Sequence, residues 1–232
     1  MRPTSRAMGT VGTLRTAGIG SGDEVIVPAY GNAEVAEAVV QVGATPVFAD
    51  IDPDTYCIDP AHVAACVGRR TAAVVAVHRF GNQADMARLR ELGKRHEVLV
   101  LEEGESAKPY EEVARRRAHA SYLSGRLNGV RTPVGHERHT YQQYVVRVPG
   151  NGRPDRDAFA RVLRSKGVDC TVPVKTPVHR MPGFRRDVAL PETERAADET
   201  LALPVEAAMS HRQLQRMVSA CNALGGLLQP AF

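Results

Sequence analysis

Nowhere does this 232-residue chain stay apolar for the roughly 20 residues that a bilayer-spanning helix requires. Its opening, Met1 to Ala7, also lacks the apolar stretch of a secretory signal. Membrane insertion and export are therefore not expected, and a cytoplasmic setting is. The four cysteines, Cys57, Cys66, Cys170 and Cys221, show no C-x-x-C spacing and read as reduced, buried thiols. Lys and Arg total 30 against 26 Asp and Glu, and the excess of four is spread along the chain. Without a basic block, nucleic acid is not implied as a partner. Internal repeats and low-complexity tracts are missing too. What remains is ordinary globular composition, 43% hydrophobic and 24% charged, enough for one large domain or two small ones.

Four short Val-rich runs, Glu24 to Val27, Thr45 to Ala49, Thr71 to Val77 and Val98 to Leu101, alternate with stretches of helical period. Those stretches are Ala33 to Val42, Asp59 to Val67 and Asp85 to His96. In the second, Asp59-Pro60 supplies an N-cap residue followed by proline at the first helical position. Such alternation builds a parallel sheet through right-handed crossovers. After Lys108 the rhythm changes. Glu111 to Leu127 reads as one long charged helix, followed by a strand at Tyr141 to Val148 and a surface turn at Pro149 to Pro154. A helix at Asp155 to Lys166, a strand at Val168 to Val174 and a closing helix at Ser210 to Leu224 complete the chain. The predicted class is α/β: a mostly parallel sheet with helices over residues 1–110, a connecting helix at 111–128 and a small α+β domain over 129–232.

Three blocks of the first half are GIGSGDEVIVPAY (Gly18 to Tyr30), VGATPVFADIDPDTYCID (Val42 to Asp59) and AVVAVHRFGNQADM (Ala73 to Met86). They resemble the DegT/StrS-like family of fold type I PLP enzymes, most of which transfer an amino group to keto-sugars carried on nucleotides. The likeness resumes at RHTYQQYVVRV (Arg138 to Val148) and runs through TPVHRMPGF (Thr176 to Phe184) and LALP (Leu201 to Pro204). The resemblance implies a reduced fold type I aminotransferase-like large domain, a small C-terminal domain and a dimer. Without it, Gly20, Gly22, Gly43, Asp50 and Asp52 read as turn residues of the scaffold.

An aminotransferase of this kind needs a lysine to hold PLP, an acid for the pyridine nitrogen, a ring to stack on the cofactor and donors for its phosphate. The family's acidic motif, E-D followed by small residues and Q-A, corresponds here to EEGESA. Glu103 stands for the aspartate and Ser106 for the glutamine. The stacking position falls on Asn32, and the phosphate loop aligns with Thr4 to Met8, where Arg6, Ala7 and Met8 stand. Beyond Ala107 the chain passes directly to the long helix, so roughly a hundred residues, on the scale of several βα units, are missing. They hold the family's S-x-x-x-x-K segment. Lys94, Lys108, Lys166 and Lys175 remain, none in a matching context. PLP is accordingly expected to be absent. A metal is not expected either, since Asp50, Asp52, His78 and Glu103 lack compact ligand spacing. Loss of strands also exposes a sheet edge that association would cover, so a homodimer is expected.

Ligands of open α/β sheets bind beyond the carboxyl ends of the strands. Tyr30 and Asn32 follow the first run, Asp50 and Asp52 the second, His78 the third, and Glu102, Glu103 and Glu105 the fourth. Neighbouring carboxylates can supply a protonated acid beside an ionised base. His78 and Glu103 are thus candidate catalytic residues, with Tyr30, Asn32, Glu102 and Glu105 as candidate substrate contacts. The other reading is an inherited cluster without a present role. By resemblance, Tyr141, Tyr144 and His179 lie near the family's substrate pocket. Arg180, with Arg185 and Arg186, offers charge to an anionic substrate or belongs to a solvated loop. These readings describe a PLP-independent enzyme performing acid/base catalysis (isomerisation, cyclisation, dehydration or condensation) on a small natural-product or sugar-like intermediate of secondary metabolism. A non-catalytic partner of a biosynthetic enzyme and a residual PLP-dependent aminotransferase are the alternatives.

Overall fold

The computed structural model describes residues 5–104, 109–149 and 155–225. Strands β1 (Glu24–Pro28), β2 (Thr45–Ala49), β3 (Thr71–Val77) and β4 (Leu99–Glu103) form one parallel sheet in the order β2-β1-β3-β4. All four Val-rich runs are strands. Helices α1 (Ser5–Thr16), α2 (Glu34–Gln41), α3 (Pro60–Cys66) and α4 (Met86–His96) precede or connect them, which makes the class α/β. The Asp59 carboxylate caps α3 by accepting from the Ala61 N–H at 3.0 Å, with Pro60 in the first turn. Asp85 likewise accepts from the Arg88 N–H at the start of α4. That helix ends on Lys94, Arg95 and His96, cations at the negative end of its dipole.

Alternation along the strands gives the sheet two apolar faces. Val25, Val27, Val75 and Val77 pack with Leu14 of α1 and with Val35 and Val39 of α2. On the opposite face, Ile26, Val74 and Ala76 pack with Val63 of α3 and Leu89 of α4. Coverage on both sides explains why the strands read as unbroken apolar runs. A Cβ on Gly93 would lie 2.7 Å from the Val98 carbonyl oxygen, so the close approach of α4 to β4 needs glycine there. Among the described residues β4 pairs only with β3, and Leu99 on this edge is 37% exposed.

The chain falls into two compact units. The first comprises Met1–Arg79, Gln83–Glu105 and Thr176–Glu194; the second comprises Phe80–Asn82, Ser106–Lys175 and Arg195–Phe232. Residues 176–194, which the sequence division assigned to the C-terminal domain, thus group with the sheet. Their apolar side chains are the reason: Val178 and Leu190 are buried in the cluster of β1 and α2, and the Val178 N–H donates to the Ala29 carbonyl at 2.9 Å.

The second unit contains α5 (Tyr110–Ser124), β5 (Tyr144–Arg147), α6 (Asp155–Ser165), β6 (Thr200–Leu203) and α8 (His211–Gly225); α7 (Pro191–Glu199) begins in the first unit. Its core gathers Leu123, Tyr144, Val146, Leu163, Leu201 and Met217. The strand predicted at Val168 to Val174 does not form. Only Thr171 bridges to Ala202, because Pro173 lacks an N–H and the place beside β5 is taken by β6, antiparallel, with Tyr144 opposite Leu203. Most of the turn predicted at Pro149 to Pro154 lies outside the described residues. No described helix is long and apolar enough to cross a membrane.

Candidate active site

His78 leaves the end of β3, and its N–H donates to the Glu103 carbonyl at 2.8 Å, which extends the β3–β4 pairing by one bond. Its imidazole is occupied at both nitrogens. Nδ1 accepts from the Ala84 N–H at 3.0 Å, so the neutral ring carries its proton on Nε2, 2.9 Å from Glu102 Oε1. The other Glu102 oxygen meets Arg90 of α4 at 2.6 Å. A Cβ on Gly104 would stand 2.8 Å from His78 Cδ2, so this glycine lets the chain pass close against the ring.

Glu103 belongs to the other face of the sheet. Leu101 packs in the cluster of α1 and α2, and Val100 in the cluster of α3 and α4. Glu103 follows the parity of the first and Glu102 that of the second. The hydroxyl of Thr10, on α1, makes a short hydrogen bond to Glu103 Oε1. His78 and Glu103 are thus brought to one edge but not into one pair; Glu102 is the partner of His78. With Nδ1 filled by the Ala84 N–H, His78 presents Nε2 as a positioned donor in this arrangement. Glu103 Oε2 has no hydrogen-bond partner among the described residues. Thr10 and Arg90 were not singled out from the sequence. Thr10 is 93 positions from the carboxylate it holds, and no local pattern marks it.

The remaining candidates separate. Tyr30 is fully buried with its ring stacked on Tyr56 at 5.8 Å, a core position closed to substrate, while Asn32 is exposed. Asp50 is buried and accepts from the N–H groups of Ile51, Glu192 and Thr193 at 2.7–3.0 Å. Asp52 accepts from the N–H groups of Asp54 and Thr55, a turn-closing role. His179 is buried with Nε2 3.3 Å from Glu194, and exposed Arg180 pairs with the same carboxylate at 2.8 Å. Glu105, Ser106 and Lys108 lie outside the described residues, as do Thr4 and the side chains of Arg6, Ala7 and Met8.

Tyr141 and Tyr144 belong to the second unit. Tyr144 is fully buried, its hydroxyl 2.8 Å from Ser124 Oγ, and burial pushes its phenol upward. Tyr141 adopts the left-handed region at φ 46, a strained setting for a bulky residue, and stacks on His139 at 3.8 Å. His139 is buried. Burial first, then His136 and Arg117, lower its pKa from 6.5 to about 4. Its Nδ1 accepts from the Tyr141 N–H at 2.9 Å and so holds the strained turn.

A pyridoxal cofactor would meet these residues at one point. Glu103, anchored by Thr10, is a carboxylate suited to a protonated pyridine nitrogen. An amine for covalent attachment is not matched. The described lysine of the first unit, Lys94, is exposed in the last turn of α4, which leads to the amino end of β4 and not to the carboxyl edge. The group fits the described residues only without a covalent link, and no described group of three or more His, Cys, Asp or Glu could hold a metal ion.

Comparison with known proteins follows the same outline. The DegT/DnrJ/EryC1/StrS aminotransferase family matches residues 4–109 and 107–222, two segments that meet where the interruption after Ala107 was read. The pleiotropic regulatory protein of Geobacillus stearothermophilus is 27% identical over 299 residues, covering 88% of this chain and 79% of that protein. The alignment is longer than the chain, so it bridges an interruption. The L-glutamine:2-deoxy-scyllo-inosose aminotransferase of Streptomyces kanamyceticus is 38% identical over 60% of this chain, which spans only 30% of that protein. Among solved structures, NtdA from Bacillus subtilis with bound cofactor PMP has a TM-score of 0.84 at 17% identity, over 95% of this chain and 72% of that one. At that identity the likeness is one of fold. The expectation that PLP is absent is corrected by these findings: the matched family is one of aminotransferases, and a fold neighbour holds the amine form of the cofactor. Matched across nearly its whole length, the chain belongs to the DegT/DnrJ/EryC1/StrS aminotransferase family.

Proposed function

We propose that this chain acts by proton transfer on a small keto-cyclitol or keto-sugar of secondary metabolism, with Glu103 as the proton carrier and His78 as a positioning donor. The asymmetry of the two carboxylates carries this reading. Glu102 is neutralised by Arg90 and bonded to His78, whereas Glu103 is held by a hydroxyl alone and keeps one oxygen free among the described residues. A carboxylate in that position can take the proton beside a substrate carbonyl, the step shared by isomerisation, dehydration and condensation. The substrate class follows relatives such as the inosose aminotransferase named above. A pyridoxal-type cofactor goes with the family, and Glu103 is the residue that would face its pyridine nitrogen; when bound, that cofactor supplies an electron sink. We also propose a homodimer, since β4 is an edge strand with Leu99 exposed.

The test is deuterium incorporation beside the ketone of scyllo-inosose in D2O, followed by NMR with and without added PMP. Glu103→Gln should abolish exchange and Lys94→Gln should leave it intact. Exchange without PMP supports Glu103 as the proton carrier to the substrate, whereas exchange that appears only with PMP would assign Glu103 to the pyridine nitrogen and overturn that role. Exchange that survives Glu103→Gln under both conditions sinks the reading. A second reading, a non-catalytic partner of a biosynthetic enzyme, draws on the absence of a described lysine at the carboxyl edge. It predicts no exchange in either condition and stoichiometric co-purification with an aminotransferase.

A further inference from the structure

We propose that a cavity of about 540 Å³ in the second unit is a binding site for a basic amino acid of the lysine type. Glu111, Glu112, Arg115 and Arg116 of α5 form one wall, and Glu206, in the connection from β6 to α8, belongs to the other. Both walls are fixed. The Glu206 carbonyl accepts from His119 Nδ1 of α5 at 3.0 Å and from the Met209 N–H at 3.1 Å, which ties the connection to the helix. Val205, beside it, is buried in the core of this unit. Arg116 Nη1 donates to the carbonyls of Tyr141 and Gln142 at 3.4 and 3.3 Å, and its Nη2 donates to Glu112 at 2.6 Å, so this pair is part of the frame of the cavity.

Two Glu–Arg pairs of the same spacing on one helix behave differently here. Glu112 and Arg116 close into an ion pair. Glu111 and Arg115, one position earlier, line the same cavity and stay apart, although this spacing and order favours pairing on a helix. Glu206 has no ion-pair partner among the described residues either. The uncommitted charges of the lining are therefore two carboxylates against one guanidinium, all on exposed residues that a solute reaches without any opening of the fold. A lysine-type amino acid carries the complement: a carboxylate for the planar fork of Arg115, and two ammonium groups for Glu111 and Glu206. A neutral amino acid leaves one of the carboxylates unanswered, and a plain diamine leaves the guanidinium unanswered. Ala207 and Ala208, whose side chains are single methyl groups, leave room for the methylene chain between the charges. The volume is that of a small-molecule pocket.

Calorimetry on the full chain, with probes that remove these charges one at a time, tests this. L-Lysine should bind. Cadaverine, which lacks the carboxylate, 6-aminohexanoate, which lacks the α-ammonium, and L-glutamine, which lacks the second ammonium, should each bind at least about tenfold more weakly, the loss of one charge-assisted contact. Arg115→Ala should weaken lysine by about the same factor and cadaverine not at all, so that the preference between the two disappears; a merely structural role for Arg115 would not remove it. Glu111→Gln/Glu206→Gln should weaken lysine at least about tenfold. Glu37→Gln, which removes the same charge from an exposed position of α2, should leave lysine binding unchanged. Any of the three analogues binding as tightly as lysine would overturn the assignment to a basic amino acid. Undiminished lysine binding by the Arg115 and Glu111/Glu206 variants, with their circular dichroism unaltered, or no binding of any probe would overturn the site itself. Glu103→Gln is expected to leave every one of these titrations unaffected, so failure here and failure of the proton-transfer reading are separate outcomes.

Discussion

Lowering the pH from 7 toward 4 should cost the fold stability through His139. This ring is 1% exposed, and its pKa is held at about 4 against an ordinary 6.5, chiefly by burial and then by His136 and Arg117. In the unfolded chain the imidazole binds a proton below 6.5, while in the fold it stays neutral until about 4. Through that window the unfolded state holds more protons, so stability is full above the unfolded pKa and falls as pH drops through it. A depression of this size corresponds to about 3 kcal/mol, lost by the time the folded pKa is reached. His136 is lowered in the same direction, again by burial first, and adds to the slope. Urea unfolding followed by circular dichroism, at pH values from 7.5 to 4, measures it. His139→Asn removes the titrating group and keeps an acceptor near the Tyr141 N–H, so its stability should fall less steeply with acid than that of the parent. Parallel curves for parent and variant, or an NMR titration of His139 near 6.5, would refute the reasoning.

Further predictions concern other groups. Asp50→Ala leaves the N–H groups of Glu192 and Thr193 without their buried acceptor and should cost about 3 kcal/mol in chemical denaturation. Gly104→Ala should displace His78 from Glu102, visible as a changed Nε2 chemical shift with little loss of overall stability. Burial pushes the thiols of Cys57 and Cys221 up to about 11 and about 12, so neither should be alkylated by iodoacetamide at pH 8 in the native protein, whereas half-buried Cys66 should react first on mass analysis. Sedimentation at micromolar concentration should return a dimer, and Leu99→Lys should convert it to a monomer if the β4 edge is the contact.

The parts of the fold that were legible in sequence are those fixed by local chemistry. Val-rich runs marked β1 to β4 because both faces of the sheet are covered, and Asp59-Pro60 marked the start of α3 because the cap lies within two residues of its acceptor. Strand β6 was missed: four residues ending at a proline carry little periodicity, and Val168 to Val174 offered a longer apolar run in competition. Residues 176–194 contain no strand or long helix before α7 to announce where they pack. What decides it is the burial of Val178 and Leu190, which is tertiary. The edge residues of the candidate site were visible as a group, but their partnerships were not. The Asp50 contacts span 142 and 143 positions, and Thr10 reaches Glu103 across 93. The parity of Glu102 and Glu103, by contrast, was there to be read. Adjacent residues in a strand face opposite ways, so one of the pair had to part from His78.

That parting gives the edge its chemical logic. Two adjacent carboxylates on one face would share a field, and each would hinder the other's ionisation. On opposite faces they are compensated separately. Glu102 meets an arginine and a histidine donor; Glu103 has one neutral hydroxyl donor and no cation among its described partners. A group that must gain and lose a proton is better served by the second environment than the first. His78 meanwhile has Nδ1 filled by a backbone N–H, which ties its tautomer to the Glu102 side. In the proposed function the proton-carrying role therefore falls to a carboxylate on the opposite face and not to the histidine. The same carboxylate is the one a pyridine nitrogen would seek. Glu103→Gln is therefore the substitution that tests the function proposed for this edge.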